Sequence, residues 1–116
     1  MFRDIIRRIK MEHDFQSRMN KRVECKDGFS MSVQAHDGAY CEPRNNEGPY
    51  HHVEVGFPSE YEELLIAYAE DRSSATKTVY GYVPVQVVVN VLAKHGGMTD
   101  GQLPDGVAPL KGSETD

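Results

Sequence analysis

The stretch VECKDGFSMSVQA, residues 23–35, decides the fold. Val23 and Cys25 stand two apart, Lys26-Asp27-Gly28 follows, and then Phe29, Met31, Val33 and Ala35 alternate with Ser30, Ser32 and Gln34. A period of two with one apolar and one polar register marks half-buried antiparallel strands, and a three-residue turn ending in glycine joins them as a hairpin. Every second side chain then faces the core, and Cys25 falls across from Phe29.

Moving toward the C-terminus, His36-Asp37-Gly38 predicts a second turn into Ala39, Tyr40 and Cys41, with Cys41 across from Val33. A loop punctuated by Pro43, Gly48 and Pro49 follows, and His51, Val53, Val55 and Phe57 then alternate as a further strand. Pro58-Ser59 ends it. Ser59 with Glu62 reads as a capping box opening a helix, with Tyr61, Leu64, Leu65 and Tyr68 as its apolar stripe and Glu60, Glu62, Glu63 and Glu70 outside. Lys77 to Val83 predicts another strand. Pro84 opens a last helix striped by Val85, Val88, Val89 and Leu92, and Gly96-Gly97 stops it. A buried strand is the competing reading of that valine run, against which the Pro84 start and the double-glycine stop argue. From Met98 onward glycine, proline and acids dominate, which predicts a flexible acidic tail over 98–116.

Toward the N-terminus, Phe2, Ile5, Ile6 and Ile9 recur at helical spacing among Arg3, Arg7, Arg8 and Lys10. Residues 1–18 therefore read as a basic amphipathic helix, peripheral to a core domain at 19–97. The expected class is α+β, a small, mostly antiparallel sheet of three to five strands with two helices packed on one face and that peripheral helix beside it.

The net charge of −5 conceals a division: residues 1–26 carry +4 and the remaining ninety −9. An acidic body repels phosphate over most of its surface, which disfavours a general polyanion binder. There is no run of about 18 apolar residues to span a bilayer and no apolar leader after the basic N-terminus, so the expected setting is the cytoplasm, where two cysteines stay reduced.

The densest concentration of recognition chemistry is AYCEPRNNEGPYHHVEVGF, residues 39–57. Tyr40, Glu42, Arg44, Asn45, Asn46, Tyr50 and His52 crowd a proline-stiffened loop, and side chains held in place lose little entropy on binding. They are the candidate partner-binding residues, with Arg44, Tyr40 and Tyr50 as anchors. Cys25, His36, Cys41, His51 and His52 offer zinc-type donors but no paired-cysteine knuckle, and the hairpin register sets the two thiols roughly 13 Å apart on the core face. Cys41 beside His51 or His52, with Asp37 or Glu54 orienting, is the one pairing that resembles a nucleophile and its base, and burial of the sulfur argues against it. No catalytic residue, metal site or cofactor is assigned.

The segments CKDGFSMSVQA (25–35), YCEPR (40–44), VEVGFPS (53–59) and VYGYVPVQVVVNVLAKHGG (79–97) resemble a group of small accessory proteins carried by tailed bacteriophages. The resemblance covers about residues 19–97. It implies a setting, the host bacterial cytoplasm, and a mode of action, binding a host or defence protein so as to inhibit or redirect it. A non-enzymatic protein-binding module is thus the leading expectation. The alternatives are a nucleic-acid-associated protein using Arg3, Arg7, Arg8, Lys10 and Lys21, and a metal- or thiol-dependent enzyme; a homodimer is a further option, a membrane partner is not.

Overall fold

The computed structural model describes residues 19–112, so the expected N-terminal helix, with Arg3, Arg7, Arg8 and Lys10, lies outside the described residues. Five strands form one sheet: β1 (Val23–Cys25), β2 (Ser30–Gln34), β3 (His52–Gly56), β4 (Val79–Pro84) and β5 (Met98–Asp100). Their order across the sheet is β4-β3-β2-β1-β5, and every neighbouring pair is antiparallel. Among the described residues one α-helix, α1 (Val85–Lys94), and two single 3₁₀ turns, Ile66–Tyr68 and Arg72–Ser74, complete it.

The hairpin is where its alternation puts it. Val23 faces Met31, and Cys25 N–H bonds to the Phe29 carbonyl at 2.8 Å around a turn closed by Gly28 at φ +95°. Pairing then runs Val33 to Val55 and Val53 to Val83, so one face collects Val23, Cys25, Met31, Val33, Val53, Val55, Tyr80 and Val83, all buried. Val88, Val91 and Leu92 of α1 complete that core. Valine is a poor helix former because its branched side chain loses rotamer freedom, so burial on the sheet holds α1 together. Pro84 sits at its N-cap, and Gly96 and Gly97, both at φ near +87°, end it as the sequence predicts. No helix among the described residues is long and apolar enough to cross a membrane.

The expectation of two helices on the sheet is overturned: residues 59–70 form no α-helix, only a loop with the Ile66–Tyr68 turn. Both halves of the capping box are committed elsewhere. Ser59 is tied to β2, accepting from Ser30 N–H through its hydroxyl (2.9 Å) and donating its own N–H to the Ser30 carbonyl (2.8 Å). Glu62, expected on a solvated face, is wholly buried and bonded to His95 and Lys94. Leu65 goes into the core while Tyr61 and Leu64 stay exposed. Long-range bonds outweigh a local helical pattern.

Two further expectations change. Residues 36–41 are not a strand against β2; that place belongs to β3, and Val33 lies opposite Val55 rather than Cys41. Phe57, expected inward at the end of the β3 alternation, leaves the strand at φ +49° and is 49% exposed. Residues from Met98 onward, expected as a tail, add β5 to the edge of β1 and then fold back, with Val107 buried and Tyr50 N–H bonded to the Asp105 carbonyl at 2.8 Å.

Candidate functional site

The loop between β2 and β3 crosses toward the opposite edge of the sheet, and its geometry begins with Tyr40. The Tyr40 N–H donates to the Glu54 carboxylate at 3.3 Å, and its carbonyl accepts from the Tyr82 N–H at 3.0 Å. That reach requires two irregularities in β4. The register against β3 shifts between Val53 and Val55, the mark of a bulge opposite Glu54, and Tyr82 adopts φ +53°. Gly81 makes room, since a Cβ there would lie 3.3 Å from that of Tyr40.

The result is a surface group of three side chains. The Tyr40 and Tyr82 rings stand 6.0 Å apart, tilted by 37°, and the Arg44 guanidinium lies 5.9 Å from the Tyr40 centroid, within cation–π range. Arg44 is held there by a bond from its Nε to the Asp37 carbonyl at 3.2 Å. Tyr40 is 38% exposed and Tyr82 47%, so these rings are braced from below and open above.

The other predicted contact residues divide. Glu42 is exposed and its backbone pairs with His52, which is half-buried with a buried Nδ1 that has no hydrogen-bond partner. Asn45 and Asn46 are exposed, but their side-chain oxygens serve the loop itself. Asn45 Oδ1 accepts from the Glu47 and Gly48 N–H groups at 3.0 Å, and Asn46 Oδ1 accepts from the Asp37 N–H at 2.9 Å. Tyr50, expected as an anchor, faces inward. It is buried, its hydroxyl donates to the Asn45 carbonyl at 2.8 Å, and it supports the loop from inside. Lys21, from the alternative nucleic-acid set, pairs with Asp100 at 2.8 Å and is otherwise solvated.

Both thiols are buried and unbridged. Burial, with Asp27 adding to it, pushes Cys25 up to about 11, and burial also raises Cys41, whose Sγ–H donates to the His36 carbonyl at 3.1 Å. A thiol so placed is protonated at neutral pH and is a poor nucleophile or ligand. Among the described residues no three His, Cys, Asp or Glu side chains are grouped as a metal ion requires.

Sequence reasoning missed Tyr82, which reads as one more strand residue. The available signal was Gly81, because a lone glycine within a strand pattern marks a bulge or a close backbone approach. In comparisons with family models, curated proteins and solved structures, nothing matches the chain.

Proposed function

We propose that this protein is a non-enzymatic protein-binding module of the bacteriophage accessory kind, acting in a bacterial cytoplasm to inhibit or redirect a host or defence protein. Its contact surface is the Tyr40–Arg44–Tyr82 group, with Glu42 at the margin. The observation that carries this reading is that two tyrosines and an arginine are exposed together while the tyrosine backbones and one guanidinium nitrogen are already fixed. Tyrosine and arginine dominate the energetics of protein interfaces, and prior ordering removes part of the entropy cost of docking. The protonated, buried thiols argue against a thiol enzyme. The paired Lys21 offers little to a phosphate backbone.

The test is retention of a bacterial protein from lysate by the immobilised chain, compared with Tyr40→Ala and Tyr82→Ala. A specific protein retained by the wild type and lost with both variants, at unchanged circular dichroism, supports the reading. Retention indifferent to both substitutions overturns it. Retention of DNA or RNA that falls steeply with salt would instead favour the nucleic-acid alternative.

A further inference from the structure

Three segments far apart in the sequence meet at one imidazole. His95, the residue after α1, places Nδ1 2.6 Å from Asp27 Oδ2 on the β1–β2 turn and Nε2 2.6 Å from Glu62 Oε1 on the 59–70 loop. The His95 side chain is 6% exposed and the Glu62 side chain fully buried. Phe29 stacks on the ring with centroids 4.0 Å apart and planes 13° from parallel. The remaining carboxylate oxygens are also used: Asp27 Oδ1 accepts from the Phe29 N–H, and Glu62 Oε2 from the Leu64 N–H and the Lys94 ammonium.

Ionised carboxylates only accept hydrogen bonds, and a neutral imidazole has one N–H. With one proton on the ring, one of the two 2.6 Å contacts would set a nitrogen lone pair against an oxygen. With two, both contacts are charge-assisted bonds, the class that runs shortest. The charges then balance, Asp27 and Glu62 against His95 and Lys94, which is the condition for keeping a carboxylate such as Glu62 out of water.

We propose that Asp27, His95 and Glu62 form a proton-operated latch, in which the doubly protonated His95 fastens the 59–70 loop to the end of α1 and to the β1–β2 turn, and loss of one proton frees that loop. The loop is suited to such control. It holds no α-helix, and it displays Tyr61 and Leu64 at 59% and 40% exposure. Its other fastenings are the Lys94–Glu62 pair at 2.9 Å, the Ser59–Ser30 pair, the buried Leu65, the Ala69–Tyr80 bridge and a bond from Glu70 N–H to the Val79 carbonyl.

The groups around the imidazole agree on the direction. Burial alone would lower the His95 pKa, but the bonds to Glu62 and Asp27 hold it above the ordinary imidazole value. Burial would likewise raise Glu62, and the Leu64 N–H, His95 and Lys94 outweigh it, keeping the carboxylate ionised. The Phe29 N–H is the main cause that lowers Asp27. Cys25 on β1 stays neutral at about 11, and Lys94 on α1 is raised by Glu62, with Glu60 and Glu63 adding to it. Lys26 on the turn packs its Cβ beside Gly96. The latch is therefore shut below the ordinary imidazole value and opens as pH rises through the raised one.

Nitrogen-15 spectra of the His95 ring and amide hydrogen exchange at Leu64 and Leu65, corrected for intrinsic rates and compared with Val53 and Val55 in the central strand, test this between pH 6 and 9. The expected result is a ring with both nitrogens protonated at pH 6 and a loop protection that falls by at least about tenfold as the ring titrates, while the strand keeps its protection. His95→Gln, which keeps hydrogen bonding without titrating, should make loop protection independent of pH. A singly protonated ring at pH 6, or loop protection that ignores the ring's titration, overturns the proposal. The wild-type titration decides alone if the variant does not fold.

Discussion

The backbone of Tyr82 donates its N–H to the carbonyl of Tyr40 at 3.0 Å, and this one bond sets the two rings 6.0 Å apart at the surface. It couples a loop to a strand bulge, and it is made by a tyrosine in the left-handed region at φ +53°. A non-glycine residue held there costs on the order of 1 kcal/mol. A conformation kept at that cost, with the ring 47% exposed, contributes little to packing.

Tyr82→Gly separates the two roles. Glycine relieves the φ penalty but orders less readily in a strand, by about 0.5–1 kcal/mol, so the terms nearly cancel. Urea unfolding should show a net change below about 1 kcal/mol. Partner retention should fall by roughly tenfold or more, as for a central interface tyrosine. A large loss of stability would show that the ring belongs to the core.

The two loop tyrosines should respond in opposite ways. Tyr50 is buried beneath the loop, so Tyr50→Ala should cost about 3 kcal/mol or more in denaturant unfolding, and Tyr50→Phe about 1 kcal/mol for the lost bond to the Asn45 carbonyl. Tyr40→Ala should cost less than about 1 kcal/mol, because the ring is 38% exposed and its backbone bonds survive. The reverse order would place recognition on the inner tyrosine.

What the sequence reveals here is what local periodicity encodes. The β1–β2 hairpin and its register follow from Val23, Cys25, Phe29 and Met31 alone, and α1 follows from Pro84, the valine spacing and Gly96-Gly97. The 59–70 segment misleads because Glu62 satisfies a local capping pattern, while its carboxylate is claimed by His95, 33 residues away. No local window contains that bond. The candidate site is legible in part for the same reason: Tyr40 and Arg44 stand out by residue type, but Tyr82 joins them only through β4, and Tyr50 carries the same chemistry turned inward.

The C-terminal return is integral to the domain, and glycine geometry shows where. A Cβ on Gly106 would lie 2.4 Å from the Tyr50 carbonyl oxygen, at φ +107°, and one on Gly101 would lie 2.5 Å from the Val23 Cα, at φ +111°. Gly106→Ala and Gly101→Ala should each lower stability by more than about 1 kcal/mol, because both sterics and backbone conformation reject the methyl group. Ending the chain after Gly97 removes β5, Met98 and Val107 and bares the β1 edge, so the product should lose its cooperative thermal transition or associate through that edge. A full-strength transition in the truncated chain would make residues 98–112 an ornament on the fold.

Global stability should peak on the acid side of neutrality, and the sign follows from three groups. His95 has a folded pKa above its ordinary value of about 6.5, so its contribution is complete below that value and is lost as pH rises through the folded pKa. Asp27 and Glu62 are held below their ordinary values of about 4, so their contribution is complete above about 4.5 and is lost as pH falls through their folded pKa values. Because the three groups share protons, these are properties of the cluster more than of single residues. Urea unfolding at a series of pH values should give a maximum between about pH 4.5 and 6.5, with folding taking up a proton as pH rises above about 6.5. His95→Gln should flatten the alkaline limb and shrink the acid limb without abolishing it, because the Phe29 and Leu64 N–H groups and Lys94 still hold Asp27 and Glu62 down. Glu62→Ala should cost about 3 kcal/mol or more near pH 6, since it leaves a protonated His95 buried without its inner partner. A stability profile flat from pH 5 to 9 in the wild type would mean that His95 titrates alike in the folded and unfolded chain, and the charge balance around Glu62 would have to be drawn differently.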